Sequence, residues 1–238
     1  MLALHLHRWL PAALLSIGAG ALGAQTPPAD SAAPRTPLVS RHALETFGGF
    51  VVAGAALYPL DARLEHAFRS PGLQGNGAAR DAAKAFNFAG DPGALAAGVV
   101  LLGVGRLTGH TATARSGLHA TEAIVLGGSA TAAIKLLAGR QRPFVQTGDH
   151  DDFAFASAVS SDVRASRWRV AHPRAAAVVT PLLYGGATLV GAARMYDDKH
   201  WASDVALGAG VGTLAGHIVS AYARAHPHGW LERLAGGR

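Results

Sequence analysis

A chain of 238 residues, half of them hydrophobic, is long enough for one substantial core or a compact set of membrane helices, and short for two full domains. It contains no cysteine, which excludes disulfides, thiolate metal sites and cysteine nucleophiles and leaves the chemistry to His, Asp, Glu, Lys, Arg and hydroxyls. Its 21 basic and 15 acidic residues give a formal charge of +6, suited to an anionic substrate or membrane surface, but with no basic run interleaved with aromatics nucleic acid is not an expected partner.

Residues 1–24 read as a signal peptide: His5, His7 and Arg8, an apolar run from Trp9 to Leu22, then the small residues Ala21, Gly23 and Ala24 as cleavage candidates. An uncleaved N-terminal anchor is the alternative. Either reading makes the rest an exported protein, at the inner membrane with its site facing the periplasm, or soluble in the periplasm. The proline-rich residues 25–40 are expected to form a flexible linker.

Alanine and glycine dominate the remainder of the chain, and β-branched runs and hairpin turn pairs are scarce, which predicts an all-α fold. Apolar stretches fall at 43–60, 93–109, 118–138, 175–193 and 203–222, each near the length that crosses a bilayer core. The expected architecture is a helical bundle of about five to six long apolar helices, membrane-spanning, over residues 41–225 with a C-terminal tail at 226–238. Mean hydropathy of only +0.22 keeps buried helices of a soluble bundle as the alternative. Between the first two stretches, Asp61 to Asn87 carries Arg63, Glu65, His66, Arg69, Arg80, Asp81 and Lys84 and reads as a solvated or interfacial helical connection. Gly103, Gly105 and Gly109 do not match a phosphate-loop spacing and are expected to serve helix packing and a helix end.

Two clusters carry candidate chemistry. Lys135 and Arg142 are seven residues apart, two turns along one helical face, and Pro143 ends that helix. Taken alone, they read more simply as a positive flank to a membrane helix or as favourable charge at a helix C-terminus. Arg194, His200 and Asp204 form the second cluster. With His200 and Asp204 four apart, a helix places them on one face, the carboxylate accepts from one ring nitrogen, and the other nitrogen attacks or takes a proton. Gly208, Gly212 and Gly216 continue the same stripe as a small-residue seam.

In order along the chain, Lys135-x6-Arg142-Pro143 and Arg194-x5-His200-x3-Asp204 resemble the first and third motifs of the type 2 phosphatidic acid phosphatase and vanadium haloperoxidase superfamily. The similarity runs over about residues 90–220, including Tyr184, the Asp198-Lys199-His200-Trp201 context and the glycine-rich last helix. It implies a helical bundle, membrane-spanning in many members, and metal-independent dephosphorylation without a cofactor. Carried over by residue, it implies that Lys135, Arg142 and Arg194 hold the phosphate and that His200, oriented by Asp204, forms a phosphohistidine.

Two departures accompany the resemblance. Ala193 stands where the family's third motif begins with serine, and the middle motif, Pro-Ser-Gly-His, occurs nowhere in the chain. Gly148–Phe153 passes directly into Ala154–Ala158, segments that flank that motif in the family, as though an intervening piece were missing. His150, His172 and the out-of-order His110 are the histidines available to replace the lost acid, and each reads more simply as an exposed loop residue. The expected function is therefore a phosphatase acting on a lipid phosphate, a polyprenyl diphosphate or a small phosphate ester. A catalytically impaired or inactive member with a phosphate-binding or structural membrane role is the alternative, and a vanadate-dependent haloperoxidase is the third reading.

Overall fold

The computed structural model describes residues 37–90, 92–138 and 173–236. Residues 1–24, expected as a signal peptide, most of the expected linker, Arg142, His150, His172 and the junction around 148–156 lie outside the described residues. The described chain is helical: α1 (Arg41–Leu57) runs through a 3-10 turn (Tyr58–Leu60) into α2 (Asp61–Phe68), followed by α3 (Pro71–Gln74), α4 (Gly77–Gly90), α5 (Gly93–Leu107), α6 (Thr111–Ala138), α7 (Pro173–Tyr196), α8 (Ala202–Ala225) and the short α9 (Trp230–Leu234). Local chemistry sets several ends. Ser40 Oγ accepts the Ala43 N–H at 3.1 Å to cap α1, Asn76 Oδ1 does the same for Ala79 at the start of α4, and Gly109 takes φ +72° just after α5.

The last long helix, α8, forms the centre of the bundle. Its inward face is small: Gly208, Gly210, Gly212, Ala215, Gly216 and Ser220 are all buried. That face lets α1 and α6 pack closely, and both run antiparallel to it. Along α1, His42 meets His217 edge-on at 6.3 Å, Phe50 packs on Gly210 and Gly54 on Leu207. A Cβ at Gly210 would come within 2.7 Å of Phe50 Cβ, so the close approach needs glycine. On α6, Ala123 packs with Val219. Helices α5 and α6 interlock through Gly98, Gly105 and Gly117; a Cβ on Gly98 would lie 2.6 Å from Thr121 Oγ1, and one on Gly117 would collide with the Leu102 backbone. Gly105 thus serves packing and Gly109 a helix end, while Gly103 has nothing within 4 Å.

The outside of the bundle carries the large apolar side chains. Val52, Val99, Val100, Leu107, Val125, Val178 and Leu182 are exposed on α1, α5, α6 and α7, while the interior is mostly alanine and glycine. Small residues inside and large apolar residues outside are the pattern of helices packed in lipid. Two continuous helical runs among the described residues, Arg41–Phe68 and Ala202–Ala225, are long and apolar enough to cross a membrane, and Gly77–Gly90 with Gly93–Leu107, bent by 46°, makes a third candidate. Helices α6 and α7, of 28 and 24 residues, also have the length of a membrane span.

The residues expected as a C-terminal tail contain α9, and α9 is docked. Glu232, 5% exposed, hydrogen-bonds the fully buried His119 and pairs with Arg115 at 3.2 Å, and Arg106 donates to the carbonyls of Leu234 and Arg233. The charge on Glu232 thus serves a buried contact with residues more than a hundred positions away, which the polar composition of this stretch does not announce.

Candidate active site

The second chemical cluster sits where α7 ends and α8 begins. Arg194 lies in the last turn of α7 and is 3% exposed; Asp197 to Trp201 form the link; His200 is 5% exposed; Asp204 lies in the first turn of α8. The link is tightly closed. The Asp197 N–H donates to Ala193 O at 3.0 Å, that of Asp198 to Met195 O at 3.1 Å, and that of Lys199 to Arg194 O at 3.0 Å. Asp198 takes φ +60°, a left-handed conformation that costs a non-glycine residue about 1–2 kcal/mol and turns the chain back towards the bundle. Helix α8 starts only at Ala202, so His200 precedes the helix instead of sharing its face with Asp204.

Lys135 lies in the last turn of α6. Because α6 is antiparallel to α8 and Ala123 meets Val219, the twelve residues from Ala123 to Lys135 match the twelve from Val219 back to Leu207. At a common rise per residue, the Lys135 backbone therefore reaches the level of the first turns of α8. The bundle thus brings the Lys135 segment to the same end as Arg194, His200 and Asp204, while Arg142 falls outside the described residues.

Four further residues frame this loop, all from the connection read as a solvated helical face. Asp61, 5% exposed, accepts the Ser203 N–H at 2.9 Å and the Ser203 hydroxyl at 2.5 Å. Arg69 reaches Asp198 at 3.3 Å, and Gln74 Nε2 donates to the Tyr196 carbonyl at 3.1 Å. Asn87 Nδ2 donates to Asp197 Oδ2 at 2.7 Å. Apolar packing supports these bonds, with Tyr196 and Ala193 against Ala83 and the partly buried Phe68, Leu73 and Phe86. The connection 61–87 is thus a bracket that holds the back of the loop. Its only sequence signal is Asp61, a lone carboxylate closing an apolar run, where an uncompensated charge needs a partner.

Among the described residues, a buried arginine closing α7, a buried histidine in the link and a carboxylate opening α8 meet at one end of a helical bundle with membrane-length helices, the architecture of a membrane protein. The PAP2 superfamily model matches residues 152–227, a span containing Arg194, His200 and Asp204. In structure the chain is similar to a transmembrane PAP2-type phosphatidylglycerolphosphate phosphatase from Bacillus subtilis, with a TM-score of 0.59 and 19% identity over 77% of this chain and 96% of that one. No curated protein matches the sequence. Residues 152–227 are thus similar to the PAP2 superfamily, and the helical fold is similar to that of the Bacillus protein.

Proposed function

We propose that the chain is a metal-independent phosphatase that hydrolyses a lipid phosphate, a polyprenyl diphosphate or another phosphate ester through a phosphohistidine on His200. The observation that carries this reading is the placement of Arg194 and His200, both buried, on one closed loop leading into the helix that bears Asp204. In the reaction, the His200 ring nitrogen attacks phosphorus, the bond to the leaving oxygen breaks, and that oxygen takes a proton. Water then attacks phosphorus, the P–N bond breaks, and inorganic phosphate leaves. Asp204 orients the imidazole. Lys135, Arg142 and Arg194 neutralise the equatorial oxygens, a task for which fixed cations suffice without a metal. Arginine suits two-point binding of the phosphate and lysine adds a point charge. The catalytic domain is residues 41–225, exported by the first 24 residues, with the site at the periplasmic side of the inner membrane.

The absent Pro-Ser-Gly-His motif favours a second reading, in which the chain binds phosphate or serves structurally with impaired turnover. In the family that motif supplies the histidine that protonates the leaving oxygen. Loss of such proton transfer costs about 10²–10⁴-fold, and least for a leaving group that departs as a stable anion. Full-length protein in detergent, with a chelator present, is therefore expected to hydrolyse an aryl phosphate faster than a lipid phosphate, and His200→Ala to abolish both. Turnover that is absent, or unchanged by His200→Ala, defeats the phosphatase reading. Bromide oxidation appearing only with added vanadate would point to the haloperoxidase chemistry instead.

A further inference from the structure

Helix α8 begins without a side-chain cap of its own. Its N-cap residue is Trp201, whose indole supplies no cap to the helix, so the first N–H groups need acceptors from elsewhere. Asp61 provides one from 142 positions away. One carboxylate oxygen takes the Ser203 N–H at 2.9 Å and the other takes the Ser203 hydroxyl at 2.5 Å, with both residues almost fully buried at 5% and 1% exposure. Ser203 stands between His200 and Asp204 in sequence, so whatever fixes Ser203 fixes the backbone joining them. Gly54 on α1 also packs on this turn, its Cβ position 3.3 Å from the Ser203 carbonyl, which ties the run entering Asp61 to the same point.

We propose that Asp61 is a positioning residue of the site: by capping α8 through Ser203 it sets the orientation of the His200–Asp204 segment. The proposal rests on His200 as the reacting group. Asp61 acts on the site through Ser203 and the backbone it holds. Asparagine at 61 keeps the shape and one acceptor oxygen but loses the second acceptor and the charge that favours a helix N-terminus. A small rotation of the turn then carries the imidazole out of line with the phosphorus it attacks, and misplacement of this kind costs about 10²-fold at 1 Å.

The test uses the full chain in detergent with Asp61→Asn, Ser203→Ala, the double variant, and Glu232→Gln as a destabilised control at the opposite end of the bundle. Two readouts are taken: kcat and KM on an aryl phosphate, and the His200 ring resonance in histidine-labelled protein, assigned by its loss in His200→Ala. The proposal predicts a shifted His200 resonance and a kcat at least about tenfold lower in Asp61→Asn with KM within about twofold, a smaller change of the same kind in Ser203→Ala, and a double variant no worse than Asp61→Asn alone. Glu232→Gln lowers the melting temperature and leaves the His200 resonance in place. An Asp61→Asn protein whose His200 resonance superposes on the wild type overturns the proposal. Should Asp61→Asn not fold, the resonance in Ser203→Ala decides by the same criterion. Because the resonance is read without turnover, a wild-type chain that hydrolyses nothing counts against the phosphatase reading alone, and the positioning role still stands or falls on its own result.

Discussion

Arg194 and His200 lie six residues apart and are both buried, although arginine is almost never fully buried unless paired. The closed turn between them bends back at Asp198, the one non-glycine residue with positive φ among the described residues. This predicts an ordering of variants. Asp198→Gly and Asp198→Ala both lose the 3.3 Å contact with Arg69, which is half-exposed and contributes little, but only alanine keeps the left-handed penalty. Asp198→Gly should therefore melt at a higher temperature than Asp198→Ala, a difference that thermal unfolding in detergent reads directly. Arg194 offers a second prediction. Lysine there keeps the charge and loses the planar fork, so Arg194→Lys is expected to lower kcat/KM on an aryl phosphate by about tenfold or more, and Arg194→Ala further. The spacing of Arg194, His200 and Asp204 is legible in the sequence. Its geometry is not, since the spacing predicts one helix carrying both His200 and Asp204, and the helix begins two residues after His200.

At the level of elements, the apolar stretches are a good guide to the long helices: 93–109 corresponds to Gly93–Leu107, and 203–222 to Ala202–Ala225. Helix α6 starts at Thr111, seven residues before its apolar stretch, because a helix of alternating small and polar residues gives no hydropathy signal. The bracket 61–87 and the docking of α9 escape a sequence reading for a physical reason. Their decisive partners are 106 to 142 positions away, and local periodicity reports which face is apolar, not which polar groups are paired. Helix packing supplies a third prediction. Gly117→Ala should cost about 1–3 kcal/mol by forcing α5 and α6 apart at the Leu102 backbone. Gly103→Ala, with open space around it, should instead stabilise α5 by about 0.5–1 kcal/mol. The two melting temperatures, measured in the same detergent, check both signs at once.

Over the whole molecule, the bundle separates two polar clusters along its length. At one end α6 finishes and α8 begins, with Arg194, His200 and the Asp61 bracket; at the other, Glu232 joins His119 and Arg115 where α6 begins and α9 follows α8. Small residues hold the helices together between them, and large apolar residues face outward. The resemblance to the PAP2 superfamily and the helical fold are legible from two spaced motifs and from composition, whereas the consequence of the missing Pro-Ser-Gly-His motif is a question of chemistry. The most direct test of the central claim is to trap the phosphoenzyme. Full-length protein is mixed with a phosphate ester labelled in its phosphoryl group and denatured in alkali, and the protein-bound label is then tested for acid lability. Acid-labile, alkali-stable label on the wild type that is absent from His200→Ala is the predicted result. Hydrolysis of the ester with no such label, or label that persists in His200→Ala, would contradict a phosphohistidine at this site.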